Sequence, residues 1–404
     1  MKKDFILKAE SPILFASFCL TMKQWYEDPN SKIYTPMFLD ATCSGIQHLS
    51  ALMEDYDLGS QVNLIPQLDT DDVSDIYSYI LNPINKEINE FGLNNPEFSH
   101  FSRLKFSRKD VKLSIMTKVY NVSIFGIKEQ LISQFDKYIS DSDIADLIRF
   151  GLEEVNLKGK VYYKATGIDS PVILSNKDLF KIAKIINNTI FLLFPSLKEI
   201  YDYLISIAKL LSKAKLPVSW STPSGLKITQ NYLKSEAHKA SIRSGNKPKT
   251  IVLRKTNRDK PDYRKQNQAI IPNIIHSLDA SHLINLINRA NLNGLTNVIS
   301  IHDCFGIHPN KMNSLKQLVI TEFINLYTED DFLAKFHKQV MKSLVDNKYE
   351  IITTTNKIKN IGGLSSTKTV KYVIIDDEEV LIPNLPKKGN LNLNLMKNSK
   401  NFIT

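Results

Sequence analysis

Two aspartates set in short apolar runs constrain this chain more than anything else in it. Asp40 ends the run in TPMFLDATCSGIQHLSALM and stands just before a helix expected to open at Thr42–Gly45. Asp303 lies in NVISIHDCFGIHP, at the tip of what reads as a strand, a tight turn and a second strand. Each carboxylate is thus placed on a rigid element. A fold that brings the two together can hold two Mg²⁺ ions about 3.5–4 Å apart, the arrangement that drives nucleotidyl transfer. Asp40 and Asp303 are the expected metal ligands.

The rest of the chain must supply a scaffold and a partner surface. At 404 residues it can build two or three lobes, each with its own core. With 43% apolar and 23% charged residues it has a soluble, globular composition. A net charge of +10 suits a polyanionic partner, although a lysine-rich surface drawn from base composition gives the same number. Cys19, Cys43 and Cys304 form no CxxC pair, which argues against a zinc module or a disulfide framework and for a reducing compartment. The apolar stretch Pro12–Met22 is too short to span a bilayer, and Ile185–Phe194 is interrupted by Asn187 and Asn188, so no membrane partner is expected. The N-terminus lacks the Arg-rich, acid-free look of an organellar presequence.

Residues 1–27 pattern as a helix, with Leu7, Leu14, Phe18 and Met22 at roughly helical spacing. From Thr70 to Phe150 the chain reads as mainly helical, DDVSDIYSYILNPINKEI opening on an acid-rich first turn. Two helical patterns fill 175–215, separated near Pro195, and in WSTPSGLKITQNYL the period shifts towards two around Pro223 and Gly225. Between Lys239 and Lys260, the cations Lys239, Arg243, Lys247, Lys249, Arg254, Lys255, Arg258 and Lys260 face the single acid Asp259. The SGNKP centre of this stretch, Ser244–Pro248, predicts an extended hairpin. A helix from Ile275 through Asn291 feeds the Asp303 turn. After Lys348 come a polar connection, then KYVIIDDEEVLIP and an Asn/Lys-rich tail.

In SRKDVKLSIMTKVYNVSIFGIKEQ, Arg108, Lys112, Met116 and Tyr120 recur every fourth residue and share one slowly drifting helix face. Two cations on the first turns can neutralise a triphosphate and stabilise departing pyrophosphate, and an aromatic ring further along can pack on a sugar and base. The plain alternative is an exposed helix with snorkelling cations. No GxxxxGK[ST], GxSxG or HExxH motif competes. Of the histidines, His48, His282 and His308 read as structural hydrogen-bonders, whereas His276 and His302, tied to the Asp303 hairpin, read as functional.

These residues carry a resemblance. The blocks DATCSGIQHLSAL (Asp40–Leu52), RKDVKLSIMTKVYNVSIFG (Arg108–Gly126), PNIIHSLDASHL (Pro272–Leu283) and IHDCFG (Ile301–Gly306) resemble, in order, the single-subunit, bacteriophage-type DNA-directed RNA polymerases, including mitochondrial and mitochondrial-plasmid enzymes. WSTPSGLKITQ and PKKGNLNLNL add weaker support. The resemblance implies an α+β, mostly helical fold: a right hand with palm and fingers and a small antiparallel palm sheet. The palm would comprise 1–68 and 277–404, and the fingers 69–276, including the basic hairpin 239–260. The N-terminal region and the thumb are expected to be missing.

By position, the resemblance implies that Asp40 and Asp303 bind two Mg²⁺, with the Ala41 carbonyl completing one metal shell. Arg108 and Lys112 would hold the triphosphate, Lys112 counting among the catalytic groups, with Met116 on the same substrate-facing side. Tyr120 would discriminate ribose from deoxyribose. His276 would contact the incoming 2′-hydroxyl or the minor groove, the feature by which RNA building blocks are told from DNA. His302 joins the substrate-binding set, and Lys239, Arg243, Lys247, Lys249, Arg254, Lys255 and Arg258 sit where the family carries a promoter-reading hairpin.

The implied partners are a DNA template, an RNA product and ribonucleoside triphosphates, with a separately encoded N-terminal half or a transcription factor. The implied compartment is the mitochondrion, from an organelle or plasmid gene without a targeting peptide. Four departures stand out: Asn121 where the family has glycine, Leu113 where a basic residue is common, an ending at Asn401–Thr404 without the phage-type aromatic, and a segment of about 346–380 with no counterpart. The rivals are a related DNA polymerase, which usually places a glutamate against the 2′-hydroxyl, and a catalytically silent, nucleic-acid-binding remnant.

Overall fold

The short strand Met37–Asp40 lies antiparallel to Cys304–Ile307, which pairs in turn with Ile299–Ile301. This central sheet is seen in a computed structural model that describes residues 3–66, 73–139, 161–244, 247–359 and 365–404. Its register sets Asp40 opposite Cys304 and Met37 opposite Ile307. Only His302 and Asp303 connect Ile301 to Cys304, and so tight a hairpin demands left-handed backbone. His302 supplies it, with φ at 55°.

The helix Ser44–Met53 leaves the sheet directly and is buried on every side from Gly45 to Met53. It packs between the long helix Tyr263–Leu292 and the helix Pro195–Lys213, and Met312–Thr328 packs on the long helix and reaches His48 through Phe323 and Tyr327. A second group joins Ile76–Asn94, Arg108–Lys118, Ile124–Ile132 and Asn176–Leu193. Beside it runs the sheet Asp136–Ile139, Val161–Ala165 and Val172–Ser175. Helix starts follow local chemistry. The Ser175 N–H donates to Asp178 Oδ2 at 2.8 Å in a capping box, Asp262 accepts from the Lys265 N–H at 3.0 Å, and Pro195 takes the first helical position.

Several expectations hold. The helices Asn176–Leu193 and Pro195–Lys213 divide at Pro195, the hairpin Val218–Ser221/Lys227–Gln230 turns at Gly225, and the basic stretch forms the ribbon Leu233–Ser244/Lys247–Pro261. The ribbon's tip at 245–246 lies outside the described residues, as do 140–150 of the expected helical run.

Others are corrected. The N-terminal helix divides into Lys3–Ile6 and Pro12–Glu27, because Pro12 cannot continue a preceding turn. Its spaced apolar residues form no core, since Pro12–Glu27 buries none. The acids preceding Ile76 include a cap, Asp75, rather than a first turn. Asp136–Ile139 is a strand inside the expected helical run. The helix expected from Ile275 starts at Tyr263 and runs through Pro272. The polar connection after Lys348 is the strand Ile351–Lys359, paired to Ser365–Ile375 and so to Glu378–Ile382. Its polar run 353–357 shows little periodic signal, although the sheet it joins buries Val373, Ile375 and Ile382.

Candidate active site

Three helices begin around one cleft of about 620 Å³: Ser44–Met53, Ile76–Asn94 and Arg108–Lys118. Their N-termini bring the positive ends of three helix dipoles to the cleft, two of them capped by Asp75 and Asp110. Asp40, Ala41 and Asp303 line the same cleft, together with Lys112, Met116 and Tyr120. The expected set therefore converges, apart from His276 and His302. His276 lines an adjoining cleft of about 420 Å³ and touches the first through its ring. His302 is exposed on the hairpin turn and lines neither.

Asp40 and Asp303 feel each other. Burial, then the charge of Asp303, raises the Asp40 carboxyl above its ordinary range, against a backbone hydrogen bond from Ala41. Two anions left in mutual repulsion suit a divalent cation. Among the described residues no group of three or more His, Cys, Asp or Glu side chains could enclose a metal. Magnesium fits such a place, because it is commonly held by one or two carboxylates while waters and substrate phosphates fill the remaining positions. The strand carrying Asp40 is itself secured: its N–H donates to Thr404 O at 2.9 Å, the Thr404 N–H donates back at 3.1 Å, and Ala41 bridges Ile403. Phe402 packs beneath, 5.0 Å from Phe323.

The cation helix opens with Asp110 accepting from the Ser107 N–H at 2.7 Å and hydroxyl at 2.8 Å. Arg108 does not hang free. Its Nε donates to Asp75 Oδ2 at 2.5 Å and a terminal nitrogen to Oδ1 at 3.2 Å, the fork geometry that suits arginine. Burial opposes ionisation of Asp75, but the bonds from Arg108 and Ser78 outweigh it and hold the carboxyl below its usual range. Both cations lie over the Tyr77 ring, Arg108 at 5.2 Å and Lys112 at 5.6 Å. Sequence reading missed Asp75 and Tyr77. Their signal was the Asp before IYSYI, a helix cap whose partner only the tertiary fold reveals.

Tyr120 stacks on His276 with centroids 5.1 Å apart and planes 10° from parallel. Burial pushes its hydroxyl up to about 12, eased by a hydrogen bond with Ser44. The ring comes close because residue 45 has no side chain: a Cβ there would stand 2.8 Å from Val119 Cγ1 and 3.0 Å from the Tyr120 oxygen. Asn121 takes φ 61°, left-handed backbone that asparagine tolerates, which explains how it stands where the resemblance expects glycine. Its side-chain amide donates to Gln268 O at 3.3 Å. That carbonyl lacks a helical partner because Pro272, four residues on, has no N–H.

Behind the site, His48 bonds the Tyr327 hydroxyl at 2.6 Å and faces Asp279 at 3.5 Å, while His282 bonds Val319 O at 3.0 Å. The structural reading of these two holds. His308 packs edge-on against Tyr34 at 6.3 Å, and its buried Nδ1 has no hydrogen-bond partner among the described residues. On the basic ribbon, Lys239, Arg243, Lys249, Arg254 and Lys255 are exposed and the strands include Lys247 and Arg258. Alternation puts Lys239, Arg243 and Arg254 on one face with Val252, and Lys249 and Lys255 on the other with Ile242, Ile251 and Leu253, so both faces carry cations.

Over residues 1–404 the sequence matches the DNA-dependent RNA polymerase family. The chain belongs to that family. A probable DNA-directed RNA polymerase of Gelasinospora sp. (strain G114) is 41% identical over 393 residues, 97% of this chain and 44% of the relative. One of Neurospora crassa is 34% identical over 337 residues, 82% of this chain and 36% of the relative. The mitochondrial DNA-directed RNA polymerase of Mus musculus is 24% identical over 403 residues, 98% of this chain and 29% of the relative. The chain thus spans less than half the length of these polymerases. Among its described residues, no helix is long and apolar enough to cross a membrane.

Proposed function

We propose that this chain carries the catalytic region of a DNA-directed RNA polymerase, transferring ribonucleoside monophosphates from triphosphates to an RNA 3′ end on a DNA template. The observation that carries the reading is the meeting of Asp40 and Asp303 in one cleft with Arg108, Lys112 and Tyr120. On this reading the central sheet belongs to the palm, with 1–68 and 277–404, and the cation helix to the fingers, 69–276. Two Mg²⁺ held by Asp40 and Asp303, with the Ala41 carbonyl, would neutralise the attacking and leaving oxygens.

The chain's own groups do the rest. Lys112 and Arg108 bind the triphosphate and meet charge as pyrophosphate departs; Asp75 and the Tyr77 ring hold Arg108 ready. Met116 covers the base side of the cleft. Tyr120, backed by the His276 ring stacked on it, stands beside the sugar, where a 2′-hydroxyl finds a hydrogen-bonding partner. The ribbon's cations, carried on both of its faces, suit DNA phosphates. The bare apolar face of Pro12–Glu27 suits contact with further polypeptide, of the kind that the relatives carry outside the matched region or that a separately encoded half or transcription factor supplies. The mouse relative's compartment suggests the mitochondrion.

The test is Mg²⁺-dependent extension of a preassembled RNA–DNA scaffold by the purified protein, with ribo- and deoxyribonucleotides compared. Asp40→Asn and Asp303→Asn should each lose at least about 10²–10³ in rate, the usual loss for one electrostatic stabiliser. Near-normal extension by either variant refutes the assignment. Equal use of both sugars favours the DNA-polymerase rival, and salt-sensitive binding without synthesis favours the silent remnant.

A further inference from the structure

The cation helix ends at Lys118, two residues before Tyr120, and its last carbonyls need partners from elsewhere. They find one in the hydroxyl of Tyr201, which projects from Pro195–Lys213 and shares its single proton between Lys118 O at 2.7 Å and Val119 O at 2.6 Å. Tyr201 is 2% exposed and its ring meets Phe191 edge-on at 5.4 Å. The ammonium of Lys118 lies 4.6 Å from the Phe191 ring centre and 5.6 Å from that of Tyr201, beside the negative end of its own helix. Burial drives that lysine down to about 8 and the Tyr201 hydroxyl well above its ordinary range, so the phenol remains a donor at neutral pH.

The turn that follows is held from both sides. Tyr120 N–H donates to Thr117 O at 3.1 Å, Asn121 N–H to Lys118 O at 2.8 Å, and the Asn121 side chain reaches the carbonyl freed by Pro272 on the helix that carries His276. Tyr120 lies within this turn, its hydroxyl bonded to Ser44, its ring close to Gly45 and stacked on His276. We propose that Tyr201 is a positioning residue for sugar selection: acting through the end of the Arg108–Lys118 helix, its hydroxyl sets the plane of Tyr120 against His276. The inference rests on the proposed role of Tyr120, and its test separates the two.

The protein labelled with [ε1-¹³C]histidine gives one NMR signal for each of its eight histidines. His276→Gln identifies the signal that reports the Tyr120 ring. Tyr201→Phe should move that signal and leave His337 in place. Tyr203→Phe, on the same helix, should do the reverse, because the Tyr203 hydroxyl meets His337 Nδ1 at 3.1 Å. On the RNA–DNA scaffold, Tyr201→Phe should lower the preference for ribonucleotides roughly threefold to tenfold, the worth of one neutral hydrogen bond, while Tyr203→Phe keeps it.

An unmoved His276 signal in folded Tyr201→Phe, or equal movement in both variants, overturns the proposal. If Tyr201→Phe does not fold, Asn121→Gly loosens the same turn while keeping its left-handed backbone, and must move the His276 signal. If Tyr120→Phe leaves sugar preference intact while Tyr201→Phe still moves the signal, the reading of the site fails and the positioning role stands. If Tyr120→Phe lowers the preference and Tyr201→Phe changes nothing, only the positioning role falls.

Discussion

Two helices that lie close in sequence, Pro12–Glu27 and Ser44–Met53, are both rich in large apolar side chains and meet opposite fates. The second is buried along its whole length beneath the carboxylate pair. The first buries nothing, leaving Ile13 85%, Leu14 72% and Phe18 57% exposed. Apolar patterning therefore tells what surface a helix wants, and the neighbouring elements decide whether it is met. The inner helix has the long helix and Pro195–Lys213 against it. The outer one has a face wide enough to suit a partner, and no such cover among the described residues.

The sharpest way to break this contrast is to truncate one leucine on each side. Leu49→Ala, at 1% exposure, should cost about 2–5 kcal/mol, whereas Leu14→Ala should stay within about 0.5 kcal/mol in urea unfolding of the purified chain. Comparable losses would mean that the outer helix is packed in solution.

Acid tests the inner side alone. Burial, then the charge of His48, lowers His282 to about 4 from 6.5. The unfolded chain then binds a proton that the folded one refuses, so this contribution is complete above pH 6.5 and is lost progressively as pH falls towards 4. The loss should be of the order of 3 kcal/mol, and His282→Gln should flatten that part of the pH–stability curve. A curve already flat across this window in the unsubstituted protein would refute the buried, neutral imidazole. The smallest effect belongs to the outer helix: Glu27→Gln removes the exposed Lys23–Glu27 pair, 3.5 Å apart, and should change stability by no more than about 0.5 kcal/mol.

Local rules reached far into this chain. Turn residues announced the Asp303 hairpin, Gly225 and the basic ribbon, and Pro195 announced the break between two helices. The spacing of Arg108, Lys112, Met116 and Tyr120 predicted one shared helix face; the helix carries the first three but ends at Lys118, and Tyr120 reaches the same cleft from the turn that follows. What escaped depends on contacts made across the fold. The helix expected from Ile275 begins at Tyr263 and runs through Pro272, where Asn121, far away in sequence, donates to the carbonyl the proline leaves free. Asp75 reads as a helix start, but its hold on Arg108 exists only after two helices dock. Ile351–Lys359 reads as a linker because its polar run 353–357 shows no alternation.

The pairing of Met37–Asp40 with Cys304–Ile307 also sets a schedule. During synthesis at about 5–20 residues per second, the first strand waits roughly a quarter of a minute to a minute for its neighbour to leave the ribosome. Until then its edge has nothing of its own to join, and the two acidic groups cannot share an ion. The pairing of the two aspartates is thus a late product of assembly, and a nascent chain stalled before residue 304 would carry most of its helices without the sheet that brings Asp40 and Asp303 together.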